Sequence, residues 1–124
     1  FTTTQTSSNS YNDAIASMVN AMKHRGPDAQ NSWCNDSVYL GHARLSIIDL
    51  SEASNQPMLS ADGRYVIVYN GELYNYRELK LELQRVSFGS KEQAYFFKTN
   101  SDTEVIIAAY SRWGAFCLDK FNGM

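Results

Sequence analysis

The sequence has few of the features that would assign it to several common protein classes. Its two cysteines, Cys34 and Cys117, are far apart and lack paired ligand spacing, which disfavours a disulfide framework and a zinc site. No apolar run approaches the about 20 residues of a membrane span. A formal net charge of −2 argues against a nucleic-acid surface. We therefore expect reduced, half-buried thiols, a cytoplasmic location, and neither nucleic acid nor membrane as a partner.

The composition that remains is that of an ordinary globular domain. The chain has 124 residues, of which 44% are hydrophobic and 19% charged, enough for one compact core. The polar stretch Thr2 to Ser10 has no apolar centre, so it predicts a loop rather than a signal peptide. Because nothing marks Phe121 to Met124 as the end of a domain, we expect a piece of a longer protein.

Helical periodicity predicts three helices. The first spans Asn12 to Lys23, capped by Ser10 or Asn12. The second spans Tyr76 to Val86, and the third follows a capping-box pattern at Ser101 to Glu104 and ends near Gly114. The predicted buried positions of the first two helices are Ile15, Met18, Val19 and Met22, then Tyr76, Leu79, Leu83 and Val86.

Three regions have strand character. Ser32 to Cys34 and Val38 to Arg44 predict an antiparallel hairpin. Arg64 to Tyr69 is apolar on both faces and predicts a strand buried from both sides. Ala94 to Phe97 is a further strand candidate. Helices that interleave with a hairpin favour an α+β layered domain over a parallel, doubly wound sheet.

Four segments place polar residues at the ends of apolar runs. They are His24-Arg25-Gly26-Pro27-Asp28, Gly41 to Leu50, Asn70-Gly71-Glu72-Leu73-Tyr74-Asn75-Tyr76, and Ser101-Asp102-Thr103-Glu104. In this order they resemble the motifs of class II glutamine amidotransferases, and within that group those of the asparagine synthetase family. The glucosamine-6-phosphate synthase branch is less similar, since it has Thr-Arg-Trp-Ala where this chain has Ala43-Arg44-Leu45-Ser46. The resemblance covers about residues 22–124.

The resemblance implies a fold and a chemistry. The fold is the N-terminal-nucleophile hydrolase type, an αββα sandwich of two antiparallel sheets between helices. An N-terminal cysteine attacks the side-chain amide of glutamine with its own α-amino group as base, and ammonia passes to a synthetase domain of the same chain. Residues 1–124 would be a partial glutaminase domain, with the synthetase domain outside this chain. No metal or cofactor is expected here, because ATP and magnesium belong to the synthetase domain. Oligomerisation stays open.

Two residues match the catalytic oxyanion hole of the family. Asn70 would donate from its side-chain amide and Gly71 from its backbone N–H to the developing negative charge. The alternative is a type I′ hairpin turn, for which Asn-Gly is the strongest short signal. The helical pattern that follows Glu72 is not what a hairpin predicts.

Four further residues match positions that bind the substrate. Arg44 would pair with the α-carboxylate of glutamine and Asp102 with its α-ammonium, while Glu72 and Ile47 complete the pocket. Each has a simpler reading. Arg44 could be a surface arginine at a strand end, Asp102 a helix-capping acid, Glu72 a helix-start acid and Ile47 a core side chain. The segment His24 to Asp28 matches a motif that we interpret as architectural.

One departure bears on activity. The family has Cys-Gly-Ile-Ala-Gly immediately before a residue like Phe1, and this sequence does not contain it. Neither Cys34 nor Cys117 has a free α-amino group to act as the base. We therefore expect this stretch alone not to hydrolyse glutamine. The alternative function is a catalytically silent glutamine-binding or regulatory module of the same fold.

Overall fold

The computed structural model describes residues 6–45, 51–85 and 93–124. The chain forms two compact units, Phe1–Ile47 with Asn55–Pro57, and Ile48–Ser54 with Met58–Met124. The predicted pocket residue Ile47 and the predicted helix end Val86 lie outside the described residues. In the described ranges, no helix is long and apolar enough to cross a membrane.

The first unit consists of one helix and one hairpin. Helix α1, Thr6–Ala21, begins before the predicted start, so Ser10 and Asn12 lie inside the helix instead of capping it. Val19 is buried, whereas Met18 is 62% exposed, so the predicted four-residue apolar face is wrong in part. Met18 lies about 60° around the helix from Ile15, at the edge of the stripe. Met22 is exposed because it lies beyond the helix end.

The predicted antiparallel hairpin is confirmed. Strand β1, Ala29–Cys34, pairs with strand β2, Tyr39–Arg44, from Cys34 opposite Tyr39 to Ala29 opposite Arg44. The Asn35 side chain closes the turn, since its Oδ1 accepts hydrogen bonds from the backbone N–H of Ser37 and Val38 at 2.9 and 2.8 Å. A side chain that bonds backbone N–H groups two and three residues ahead gives a local reason for the turn.

The sheet of the second unit is smaller than predicted. Strand β3, Met58–Leu59, pairs antiparallel with strand β4, Val66–Ile67, and a 3₁₀ helix, Glu52–Ser54, precedes them. The predicted strand from Arg64 to Tyr69 is confirmed only at Val66–Ile67, and the prediction that it is buried on both sides is wrong. Val66 and Ile67 are half-buried and Val68 is 37% exposed. A neighbour of only two residues supports only a short ladder, whatever the β propensity of the run.

The predicted strand at Ala94 to Phe97 is also wrong. These residues have no strand assignment, and the backbone N–H of Tyr95 donates to the carbonyl of Leu83 at 3.0 Å. The backbone hydrogen bond of Tyr95 therefore goes to the end of a helix instead of to a sheet.

Helices form the core of the second unit. Helix α2, Tyr76–Gln84, packs on helix α3, Asp102–Trp113, which continues as a 3₁₀ helix, Gly114–Lys120. As predicted, α3 ends at Gly114, whose φ of 59° favours glycine. The buried residues of this core are Leu73, Leu79, Leu83, Val105, Ala108, Ala109 and Cys117. Helices packed beside small antiparallel sheets confirm the α+β class.

Candidate functional site

The Asn70–Gly71 dipeptide is not a hairpin turn. A type I′ turn needs positive φ at both central residues, and among the described residues positive φ occurs only at Gly63 and Gly114. The chain instead runs on to an isolated bridge at Leu73 and into α2. Asn70 is exposed. Over the described ranges, neither its side-chain amide nor the Gly71 N–H donates a hydrogen bond to protein. Both donors are therefore available to a ligand.

Gly71 is required here by packing alone. A Cβ atom on Gly71 would overlap the backbone oxygen of Met124 and the ring of Tyr69. The Tyr69 hydroxyl donates to that same Met124 oxygen at 3.0 Å, so the crowding atoms are themselves held in place. Glycine lets the backbone pass this close, whether or not its N–H serves a substrate.

The residues after Gly71 are held by backbone hydrogen bonds to residues 122–124. Glu72 and Met124 exchange backbone hydrogen bonds of 2.9 and 3.0 Å, next to the bridge between Leu73 and Gly123. Glu72 itself has an exposed side chain. These two backbone hydrogen bonds therefore hold the segment Asn70 to Leu73, which carries the predicted oxyanion and pocket residues.

The side chain of Asn75 adds two further hydrogen bonds to the segment Lys120 to Asn122. Its Nδ2 donates to the carbonyl of Lys120 at 2.8 Å, and its Oδ1 accepts from the Asn122 N–H at 3.0 Å. Both functions of this amide are used internally, in contrast to Asn70. Nothing in the sequence pattern distinguished the two asparagines.

Asp102 lies beside the Asn70–Leu73 segment. Its side chain is 6% exposed, and its Oδ2 accepts a hydrogen bond from the backbone N–H of Leu73 at 3.0 Å. Ser101 is the N-cap of α3 and accepts from Thr103 N–H, so the capping interaction does not require Asp102. The reading of Asp102 as only a capping acid therefore does not describe its contacts.

The pKa of Tyr69 depends on its burial and on two nearby acids. Burial raises the pKa of the Tyr69 hydroxyl, and the charges of Asp102 and Glu72 raise it further because they oppose a phenolate. Tyr69 therefore stays protonated at neutral pH. This supports its observed role as a hydrogen-bond donor to Met124.

Glu104 organises the loop before α3. Its Oε1 accepts from Lys98 N–H at 2.9 Å, and its Oε2 accepts from the Thr99 N–H at 2.7 Å and the Thr99 hydroxyl at 2.6 Å. The predicted capping box is thus only partly right. The Ser101 N–H donates to Thr99 Oγ1 at 3.1 Å, where a capping box would have it bond Glu104.

Arg44 belongs to the first unit and ends β2. Only 9% of it is exposed, so the reading as a surface arginine is wrong. One of its guanidinium nitrogens, Nη1, donates to Asn55 Oδ1 at 2.7 Å, and its backbone carbonyl accepts from Asp28 N–H at 3.0 Å. Nothing in the sequence pattern pointed to Asn55.

Gly26 lies against the backbone of β2. A Cβ atom there would overlap Ala43 and the nitrogen of Arg44. The segment His24 to Asp28 thus supports the strand end that carries Arg44, which agrees with its interpretation as architectural.

The two cysteines lie in opposite environments. Cys34 is exposed and Cys117 is buried in the core of the second unit, so the expectation that both are half-buried is wrong. Both are free thiols. Burial raises the pKa of the Cys117 thiol, which disfavours the nucleophilic thiolate. Over the described ranges, no group of three or more acidic, histidine or cysteine side chains could hold a metal ion.

The predicted site residues thus fall in two places. Asn70, Gly71, Glu72 and Asp102 lie in the second unit, where the bond between Asp102 and Leu73 brings the acid to the Asn70–Gly71 segment. Arg44 lies in the first unit.

Comparisons with known proteins point to one family. The model of the family described as "Glutamine amidotransferase domain" matches residues 1–124. A putative asparagine synthetase (glutamine-hydrolysing) of Mycobacterium tuberculosis is 42% identical over 120 residues, which cover 90% of this chain and 17% of that protein. Asparagine synthetase (glutamine-hydrolysing) 3 of Bacillus subtilis is 38% identical over 109 residues, covering 86% and 16%. A protein named amidase chry2 of Gibberella zeae is 38% identical over 113 residues, covering 90% and 16%. The chain thus spans less than a fifth of these relatives.

Proposed function

Because the chain belongs to the glutamine amidotransferase domain family, we propose that it is the glutaminase part of a larger enzyme that releases ammonia from glutamine for ATP-dependent amidation of a carboxylate. The membership confirms the family that the four motifs predicted. The names of relatives such as the glutamine-hydrolysing asparagine synthetases of Mycobacterium tuberculosis and Bacillus subtilis support the proposal.

The observation that carries the proposal is the placement of Asp102. A buried carboxylate bonds Leu73 N–H, two residues after Gly71 and three after Asn70. Asn70 and Gly71 supply two neutral donors that have no protein acceptor in the part of the chain that the structure describes. An anionic group beside neutral donors suits an amino acid that has a cationic α-ammonium and an amide that must become an oxyanion.

The mechanism assigns each residue one task. As a thiolate attacks the side-chain amide of glutamine, negative charge develops on the amide oxygen, and Asn70 Nδ2 and Gly71 N–H donate to it. Asp102 holds the α-ammonium, and the family resemblance assigns Arg44 to the α-carboxylate, whose planar shape fits a guanidinium fork. The same resemblance assigns Glu72 and Ile47 to the substrate pocket. The Gly71 N–H belongs to a backbone segment that hydrogen bonds to Met124 hold, so this donor needs little reorganisation in the transition state.

We propose that the nucleophile is the first residue of a Cys-Gly-Ile-Ala-Gly segment before Phe1, as the family resemblance implies. The environments of the other thiols support this. Cys117 is 1% exposed within the core, and Cys34 lies on the hairpin of the first unit. Each has an acylated nitrogen, so neither carries the amine that would act as base.

The wider architecture follows from the same proposal. An N-terminal-nucleophile αββα sandwich is supported by the two antiparallel sheets and the helices beside them. The partner would be a synthetase domain of the same chain, which would bind ATP and magnesium. The protein would be located in the cytoplasm, where glutamine and ATP are present. The acceptor would be aspartate, as the names of the asparagine synthetases suggest, or an acid on a sugar or peptide, as the family resemblance implies.

Covalent trapping tests the proposal on the full-length protein with its native N-terminus. A diazo-ketone analogue of glutamine should add once, to an N-terminal cysteine, as seen by intact mass and peptide mapping. Excess glutamine should protect against the adduct, whereas excess asparagine should not. A folded protein that gains no adduct and releases no glutamate from glutamine would overturn the enzyme reading and support the silent glutamine-binding module.

A further inference from the structure

We propose that Glu104 is a positioning residue for glutamine binding, which acts by holding Asp102 in the direction that receives the α-ammonium. This inference rests on the function proposed above. Glu104 is two residues after Asp102 on α3 and is 5% exposed. Its partners all lie in the loop that leads into α3, residues 98–101, called here the α3 entry loop.

The hydrogen bonds of Glu104 use both carboxylate oxygens. Three donors converge on them, the N–H groups of Lys98 and Thr99 and the Thr99 hydroxyl, at 2.6–2.9 Å. All three distances lie within the ranges that charge-assisted hydrogen bonds occupy. A buried carboxylate is costly unless such donors satisfy it, so these three hydrogen bonds tie the Glu104 side chain to the α3 entry loop.

Thr99 passes the constraint to the residue before Asp102. Because the Thr99 hydroxyl donates its proton to Glu104, its oxygen presents lone pairs to the Ser101 N–H, which donates to it at 3.1 Å. Ser101 in turn accepts from Thr103 N–H at 3.1 Å. These hydrogen bonds hold Ser101 and Thr103, the residues on either side of Asp102, and so restrict the backbone orientation of Asp102. In this orientation Asp102 Oδ2 lies 3.0 Å from the Leu73 N–H.

A second tether holds the loop from α2. Lys80 Nζ donates to the carbonyl of Thr99 at 2.9 Å and to Asn100 Oδ1 at 3.2 Å. Lys80 contacts the carbonyl side of the loop, whereas Glu104 contacts its N–H side. Only the Glu104 bonds include the Thr99 hydroxyl, which also accepts from the Ser101 N–H. Substitution of Glu104 should therefore alter the orientation of Asp102.

A carboxylate is needed because every partner of Glu104 is a donor. In Glu104→Gln the amide NH₂ would face one of the backbone N–H groups, and at least one bond would be lost. A simpler role for Glu104 would be the favourable placement of an acid at the N-terminus of α3. Thr99→Val separates the two roles, since it keeps that charge and removes only the hydroxyl link.

The test is steady-state kinetics of glutamate release by the full-length protein. Glu104→Gln and Thr99→Val should each raise KM for glutamine by about tenfold and change kcat by less than about threefold. The reason is that each substitution alters the contact of Asp102 with the α-ammonium and leaves the oxyanion contacts in place. Thr99→Ser, which keeps the hydroxyl, should behave as wild type. Glu82→Gln breaks only the exposed pair with Lys120 and is the matched control for a lost carboxylate.

Leu83→Ala controls for general destabilisation. Leu83 is fully buried in the core of the same unit and takes part in none of the hydrogen bonds that link Glu104 to Asp102, so Leu83→Ala should lower the melting temperature without raising KM. If Glu104→Gln does not fold, the comparison of Thr99→Val with Thr99→Ser decides the matter.

The outcomes separate the two claims. A wild-type protein that releases no glutamate overturns the proposed function and this inference with it. A wild-type protein that is active, beside folded Glu104→Gln or Thr99→Val variants with unchanged KM, overturns the inference alone. A raised KM in both variants and in neither control supports it.

Discussion

Asp102 and Leu73 are 29 residues apart in sequence and are joined by a hydrogen bond of 3.0 Å from the Leu73 N–H to Asp102 Oδ2. This bond attaches the first residue of α3 to the segment that follows Asn70 and Gly71. Both residues are buried, with 6% and 2% of their surface exposed. One side chain therefore carries a structural contact and a candidate substrate contact, and substitutions can separate the two.

Two substitutions of Asp102 should have different consequences. Asp102→Asn keeps an oxygen for Leu73 N–H, so stability should change by less than about 1 kcal/mol, while kcat/KM for glutamine should fall about 100-fold for want of the charge. Asp102→Ala should also cost about 1–3 kcal/mol, because a buried N–H loses its acceptor. Denaturant unfolding and glutamate release on the full-length protein measure both effects. Equal destabilisation by the two variants would contradict the role of the Leu73 bond.

Asn70 and Asn75 form a matched pair of asparagines. Asn70→Ala should reduce kcat about 100- to 1000-fold, as expected for a lost oxyanion donor, and should change stability by less than about 0.5 kcal/mol, because its amide bonds no protein atom in the described ranges.

Asn75→Ala should show the converse, a loss of about 1–2 kcal/mol in stability with kcat nearly unchanged, because both ends of its amide bond the segment Lys120 to Asn122. Both variants are compared by thermal unfolding and by single-turnover hydrolysis. A large kcat defect in the Asn75 variant alone would place the oxyanion donor elsewhere.

Acid should weaken the turn between β3 and β4. The pKa of Asp62 is lowered from 3.8 to about 2, chiefly by the Ser60 hydroxyl and then by Arg64. Because the folded pKa lies below the unfolded one, Asp62 contributes stability that is present above pH 3.8 and is lost as the pH falls through about 2.

NMR titration of the Asp62 carboxyl carbon checks this directly. Ser60→Ala and Arg64→Gln should each raise the pKa of Asp62, since the Ser60 hydroxyl bond at 2.6 Å is the largest single cause and Arg64 adds a hydrogen bond and a positive charge. The stability difference between wild type and Asp62→Asn should shrink from pH 4 to pH 2. A difference that is constant over this interval would rule out the lowered pKa.

Alkylation should distinguish the two cysteines. At neutral pH iodoacetamide should modify Cys34, which is exposed, and should spare Cys117, which is 1% exposed and has a pKa raised by burial. In denaturant both should react. Peptide mapping measures the ratio, and modification of Cys117 in the folded protein at the rate of Cys34 would show that the core of the second unit opens readily.

Local sequence signals account for the elements that were predicted correctly. The hairpin of β1 and β2 depends on a turn that Asn35 closes with its own side chain, and α3 begins at the cap Ser101 and ends at Gly114. Cap and turn residues bond backbone groups within a few positions, so the pattern alone identifies them. The order of the four motifs was likewise sufficient to identify the family.

Tertiary structure decided what local signals could not. The run from Arg64 to Tyr69 has high β propensity, yet only Val66–Ile67 is a strand, because β3 offers two residues to pair with. Ala94 to Phe97 is not a strand, because Tyr95 N–H finds the end of α2 instead. In both places the hydrogen-bond partner comes from a distant segment, and a strand exists only where a neighbour is present.

The sequence by itself determined the α+β class, the family and the residue types offered for chemistry, since periodicity, caps and motif order are properties of neighbouring residues. The fold alone decided that Asn70 stays open to a ligand while Asn75 is engaged, and that Asp102 turns to Leu73 while Glu104 holds the α3 entry loop. These choices depend on atoms brought together from positions far apart in the chain, where burial makes each unsatisfied polar group costly.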